Sequence, residues 1–216
     1  FRRVQAYAAD HPNAGRVRVG NALELPSSRV RGWLNGGQPD PVRGIQTAID
    51  YGWLDPDPTD PIAARLVELL AHILAGGSIT TPFVPAVTPA QRVSLEEIRT
   101  AFSEVGVDST TRHTGSDRRA TEVVPTADGS VLGRCLVTMG APQGEKTSLS
   151  TLPPAVWAVP KSVQRSFVNI YISHRGYNYN TKATTQFREN RTEAYQRELY
   201  DLIEHVTAAS VTYSDG

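Results

Sequence analysis

The chain has 216 residues, 39% of them hydrophobic and 20% charged, with a formal net charge of zero. This is an ordinary composition for a globular protein, long enough for one large domain or for a small domain beside a medium one. No apolar run approaches the ~20 residues that span a bilayer, and the single cysteine, Cys135, excludes an internal disulfide framework and a Cys-rich metal site.

No signal-peptide pattern opens the chain, so a cytoplasmic protein is expected. The first residue is Phe1 and not Met, which reads as trimmed ends from which a leader could have been lost. The zero net charge hides a segregation: residues 1–53 carry +3, 54–110 carry −5, 111–198 carry +5 and 199–216 carry −3. Two basic blocks around an acidic one fit a nucleic-acid binder with a basic face, and equally a scatter of surface charge.

The first elements in chain order are four short helices. Arg2 to Asp10 carries Val4, Tyr7 and Ala8 at helical spacing; Val17 to Leu25, Ser27 to Leu34 and Pro41 to Tyr51 follow. Pro41 suits a first helical turn behind Asp40, a good cap. The middle pair, "VGNALELPSSRVRGWL", turns Val19, Leu23, Leu25, Val30, Trp33 and Leu34 inward and places small Gly20 at the helix contact. That pattern resembles a helix-turn-helix over about 20 residues. It departs at Glu24, which stands where glycine usually makes a left-handed turn. The outward face of the second helix then presents Ser28, Arg29, Arg31, Gly32 and Asn35, a set that suits phosphates through Ser and Arg and base edges through Arg and Asn.

The proline-rich "DPDPTDP" at 55–61 reads as a linker, because each proline biases the residue before it away from helix. The expected domains are therefore 1–54 and 62–216. In the second, "LLAHILAGGSI" (69–79) is an apolar helix with a histidine and many small residues that runs into two glycines. Strand-rich "SITTPFVPAV" (78–87), helical "SLEEIRTAFSEVG" (94–106) and a hairpin over 108–126 turning near Gly115 come next. Cys135 lies in the apolar "VLGRCLVTMG" helix and reads as core. A punctuated stretch (140–160) leads to a second helix, "RSFVNIYISHRG" (165–176), then to "GYNYNTKATTQFR" (176–188) and helical "RTEAYQRELYDLIEHV" (191–206). The "NRT" at 190–192 is a formal glycosylation sequon without meaning in a cytosolic protein. Phosphate-loop, dinucleotide-binding and nucleophile-elbow motifs are missing.

The two helices resemble the paired motif helices of the LAGLIDADG homing endonucleases. Ala71, Ala75 and Gly77 fall where that family has small residues, and Phe167, Ile170, Tyr171 and Gly176 are in register with its second helix. The stretch between them, with Gly144 and Lys146 as a Gly-x-Lys, resembles the lead-in to the second motif. The resemblance covers roughly 62–210. It implies an α+β fold: a pseudo-twofold αββαββα domain whose two antiparallel sheets form a DNA saddle, joined here to an N-terminal helix-turn-helix domain. It also implies motif helices packed at close range, each ending on a glycine suited to a left-handed cap.

In that family each motif helix ends in a carboxylate, and the two bind the metal ions that drive cleavage. Here the positions are held by Gly76 and Arg175, neither of which ligates a hard cation. His72 and His174 stand near them but read as packed side chains. No metal, no cofactor and no catalytic residue are therefore expected. The expectation is a sequence-specific double-stranded DNA-binding protein, a nucleoid-associated transcriptional regulator comparable to the WhiA-type sporulation regulators. It would act as a monomer through internal pseudo-symmetry, possible contact with other transcription components aside. Lys146, Arg175 and Lys182 would put positive charge under the DNA, and Asn178 and Asn180, alternating with Tyr177 and Tyr179, would reach base or phosphate from one strand face. The alternatives are an active or residual Mg-dependent homing endonuclease, and an RNA- or protein-binding scaffold.

Overall fold

The computed structural model describes residues 1–114, 120–147, 149–178, 185–187, 189–208 and 211. The chain divides into two compact units, Phe1–Thr47 and Ala48–Gly216. Among the described residues no helix is long and apolar enough to cross a membrane.

The first unit is built from α1 (Arg2–Asp10), α2 (Arg16–Leu23), α3 (Ser27–Leu34) and the start of α4 (Asp40–Asp50). Its core is small: Val4, Val19 and Val30 are fully buried, with Tyr7, Leu23, Leu25, Trp33 and Leu34 packed around them. One valine comes from each of the first three helices, so each helix contributes an apolar stripe to a shared centre. The turn from α2 into α3 rests on two residues. Gly20 is buried, and a Cβ there would meet the Leu25 carbonyl oxygen at 2.8 Å, so a side chain cannot be placed without moving backbone. Glu24 takes the left-handed conformation itself, at φ 56° and ψ 43°, and its N–H donates to the Gly20 carbonyl. The absence of glycine at that position therefore does not alter the turn. The strain falls on Glu24, at a cost of about 1–2 kcal/mol.

In the second unit, α5 (Pro61–Gly76) leads into β1 (Gly77–Ile79), β2 (Pro85–Val87) and α6 (Leu95–Glu104). Next come β3 (Ser109–Thr114), β4 (Ala120–Pro125), α7 (Gly129–Thr138) and α8 (Pro154–Ala158). Then α9 (Lys161–Arg175) leads into β5 (Gly176–Asn178), β6 (Thr185–Phe187) and α10 (Glu193–Val206). Helix–hairpin–helix thus occurs twice, as α5-β1-β2-α6 and as α9-β5-β6-α10. The first sheet is antiparallel in the order β1-β2-β4-β3, with Gly77 opposite Val87, Val87 opposite Val123 and Arg112 opposite Glu122. Strands β5 and β6 form a separate antiparallel pair. The architecture is α+β, as expected.

Helix starts follow local chemistry. Pro61 occupies the first turn of α5, where its missing N–H costs nothing. Helix α6 opens on a capping box in which Ser94 and Glu97 satisfy one another's backbone N–H groups. Helix α5 is buried nearly all round, from Ala63 to Ala75, and packs along α9.

Two expectations are corrected here. Residues 48–54 were assigned with the first domain, but Ala48 and Trp53 belong to the second unit's core, and the Trp53 indole N–H donates to the Val105 carbonyl at 2.9 Å. The glycines that follow α5 and α9 are expected from the resemblance to be left-handed caps. Instead Gly77 (φ −130°, ψ −165°) and Gly176 (φ −81°, ψ 146°) are extended, and each helix passes directly into its strand. Gly77 is required for closeness: a Cβ there would lie 2.4 Å from the Ala86 carbonyl oxygen.

Candidate nucleic-acid interface

Helix α3 presents the face anticipated from its sequence. Ser28, Arg29, Arg31 and Asn35 are all exposed, while Val30 on the opposite side is fully buried. Ser28, Arg31 and Asn35 follow the i, i+3, i+7 spacing of one helical stripe, with Arg29 on its flank. Asn35 caps the helix, its N–H donating to the Arg31 carbonyl at 3.2 Å. Among the described residues neither Arg29 nor Arg31 enters an ion pair, whereas Arg43 is bound to Asp40. Arg2 and Arg3 on α1 and Arg16 and Arg18 on α2 are exposed as well. A short helix seated on its buried Val30 that projects guanidinium and amide groups has the chemistry to contact phosphates and base edges.

The other group of expected residues lies where α5 and α9 end, and here the structure rearranges them. Lys146 does not project outward. Its ammonium donates to the carbonyls of Ile73 (3.3 Å), Leu74 (3.2 Å) and Gly77, so three donors meet three carbonyls of the α5 terminus. A cation in this place adds donors to carbonyls at the helix end and complements the negative end of the helix dipole. Lys146 is thus a helix cap with no donor left over for a phosphate. Burial, with the nearby positive charges of Arg191 and Arg175, brings its pKa down to about 8.

Arg191 completes the cap and was not anticipated. It donates to the Leu74 carbonyl and to the Tyr171 hydroxyl, and pairs with Glu189 at 2.7 Å, both side chains almost fully out of solvent. Tyr171 also donates to Glu189, and its pKa is raised, chiefly by burial. The "NRT" tripeptide leads into α10, with Thr192 as the N-cap whose side chain accepts from the Tyr195 N–H. A conspicuous Glu-x-Arg beside a helix start was the available signal, but nothing local says that it reaches α5.

Gly76 and His174 face each other across the two helices, with a Cβ on Gly76 falling 2.2 Å from His174 Nδ1. His72 Nδ1 lies 2.9 Å from His174 Nε2 in an edge-to-face arrangement. Burial is the main cause that lowers both pKa values to about 4, so both rings are neutral near pH 7. Arg175, the last residue of α9, is half-buried, and its Nε has no partner among the described atoms. Among the described residues no three His, Cys, Asp or Glu side chains converge in a way that would hold a metal ion. Asn178 pairs with Thr185 through the β5–β6 ladder; its side chain, like Asn180 and Lys182 altogether, lies outside the described residues.

No protein-family profile matches the chain, and no curated protein matches it.

Proposed function

We propose that this chain is a sequence-specific double-stranded DNA-binding protein that acts as a transcriptional regulator, with α3 as its recognition helix. One observation carries the reading: α2 and α3 cross about Gly20 and a left-handed Glu24 and leave Ser28, Arg29, Arg31 and Asn35 exposed on one helix, with neither arginine in an ion pair among the described residues. Arg to guanine and Asn to adenine are the side-chain pairings such a helix uses in a major groove. The net charge of the first unit agrees: residues 1–47 carry seven arginines against three carboxylates.

We extend the proposal to the second unit. Its doubled helix–hairpin–helix order supports descent from a LAGLIDADG-type fold, with β1–β4 and β5–β6 as the two halves of a surface laid against DNA. Gly76 and Arg175 at the helix ends support a binding role and not metal-dependent cleavage. Arg175 takes the part of a backbone contact there, and Lys146 does not.

The test is selection from a random duplex DNA pool with Mg²⁺ present, at ~0.15 M salt and above, with recovered strands sequenced and run on a denaturing gel. An enriched, intact motif whose affinity falls steeply with salt supports the proposal. Nicked strands would replace it with an endonuclease, and absence of enrichment would overturn it.

A further inference from the structure

His72 and His174 form the one imidazole pair among the described residues, and they stand on the two helices that make the central packing of the second unit. We infer that this pair is a proton-operated clasp between α5 and α9, closed while both rings are neutral and opened when they are protonated. The basis is geometric. Two neutral imidazoles 2.9 Å apart share one hydrogen, one ring nitrogen donating and the other accepting. Once both rings are imidazolium every ring nitrogen is a donor, so the shared bond is lost and two like charges meet in a buried seam.

The surroundings favour the neutral state. His72 is only 6% exposed, and His174 Nδ1 is buried against Gly76 without an acceptor. A proton added there would be an unsatisfied N–H. The charges that act on the pair come from three sides. Glu68 on α5 and Glu97 on α6 favour protonation of His72, and Glu97 does so for His174. Against this, Arg175 on α9 and Lys146, whose ammonium caps α5, oppose protonation of His174. Strands β1 and β2 and helix α8, which also touch these helices, carry no titratable side chain. Helix α10, which packs on α9, carries Glu193, Arg197, Glu198, Asp201, Glu204 and His205, none of which is among the charges that shift either ring. Proton access exists, because His72 lines an open groove between α5, α6 and α9 together with Glu68, Glu97, Asn169 and Ser173.

The sign follows from linkage. Both folded-state values, about 4, lie below that of a free histidine, about 6.5. The open form therefore binds more protons than the closed one between these limits, and closure is weakened as pH falls from 6.5 towards 4. With two such groups the opening constant rises roughly 100-fold per pH unit inside that window, and with one roughly tenfold.

The experiment is amide hydrogen exchange on the full chain between pH 4 and 7, corrected for intrinsic rates, read at the C-terminal halves of α5 and α9. Wild type is expected to approach the steeper slope, and His72→Gln the shallower one. His11→Gln, as a control outside the pair, should leave the wild-type slope unchanged. If His72→Gln does not fold, His174→Gln gives the same comparison, and long-range ¹H–¹⁵N spectra of the wild-type imidazoles give a readout without substitution. Titration of either ring near 6.5, or equal slopes in wild type and variant, would overturn the clasp. So would Zn²⁺ protection of the seam in wild type alone, which would make the pair a metal-ligand set.

Discussion

A Cβ atom on Gly76 would lie 2.2 Å from Nδ1 of His174. The end of α5 is therefore closed to any side chain while His174 keeps its place, and a carboxylate cannot be introduced at position 76 by that one substitution alone. Gly76→Ala is expected to destabilise the chain by about 1–3 kcal/mol, as overpacking does, despite alanine's better helix propensity. His174→Ala removes the obstructing ring, so the double variant should recover most of the loss attributable to the clash. A denaturant-unfolding double-mutant cycle measures this coupling, and additive effects would contradict the contact.

Glu24 spends its strain in the turn between α2 and α3. Glu24→Gly should stabilise the first unit by about 1 kcal/mol, because glycine enters the left-handed region without the Cβ penalty, less the entropy that it adds to the unfolded chain. A β-branched Glu24→Val should do the reverse. Thermal unfolding of the two variants checks the order, and equal midpoints would show that the residue is not held left-handed.

Lys146 is assigned as a cap on α5 and not as a contact to DNA. Lys146→Met keeps the aliphatic stem and removes the ammonium from three carbonyls, leaving Leu74 to Arg191 and Ile73 to the Gly77 N–H, at an expected cost of about 1–3 kcal/mol. The salt dependence of DNA affinity should be unchanged. A phosphate contact would instead lower the slope of log K against log salt by about one unit.

Arg191 and Glu189 form a buried pair with 1% and 0% of their side chains exposed. Arg191→Met leaves Glu189 without its charged partner and the Leu74 carbonyl with Lys146 alone, which should cost about 3–5 kcal/mol. Arg191→Met with Glu189→Gln removes the stranded charge and should be less damaging than the single change, as urea unfolding would show.

Legibility from the sequence depended on the range of the interaction. Helix α3 was placed at Ser27–Leu34, the limits observed, because Pro26 and the Val30, Trp33, Leu34 pattern are local signals. The alternation of helix and strand in the second unit was likewise readable from periodicity and turn residues. The meeting of His72 with His174 was not, since 102 residues separate them and each reads alone as a packed histidine. Lys146 reads locally as a surface cation because its three carbonyl partners lie 69 to 73 residues away. Trp53 reads as part of the first unit because the proline-rich segment after it suggests a boundary, whereas its indole finds Val105. Glu24 and Gly77 show two opposite errors about backbone: a left-handed residue that is not glycine, and a glycine kept for proximity.

The central claim is that α3 reads DNA, and its most direct test is substitution within a selected site. With a duplex motif in hand, Arg29→Ala, Arg31→Ala and Asn35→Ala would each be titrated against that motif and against the motif changed base by base. The account predicts that at least one variant loses about 1–3 kcal/mol of affinity and relaxes preference at one base position while folding normally. Full retention of affinity and base preference by all three variants would contradict it.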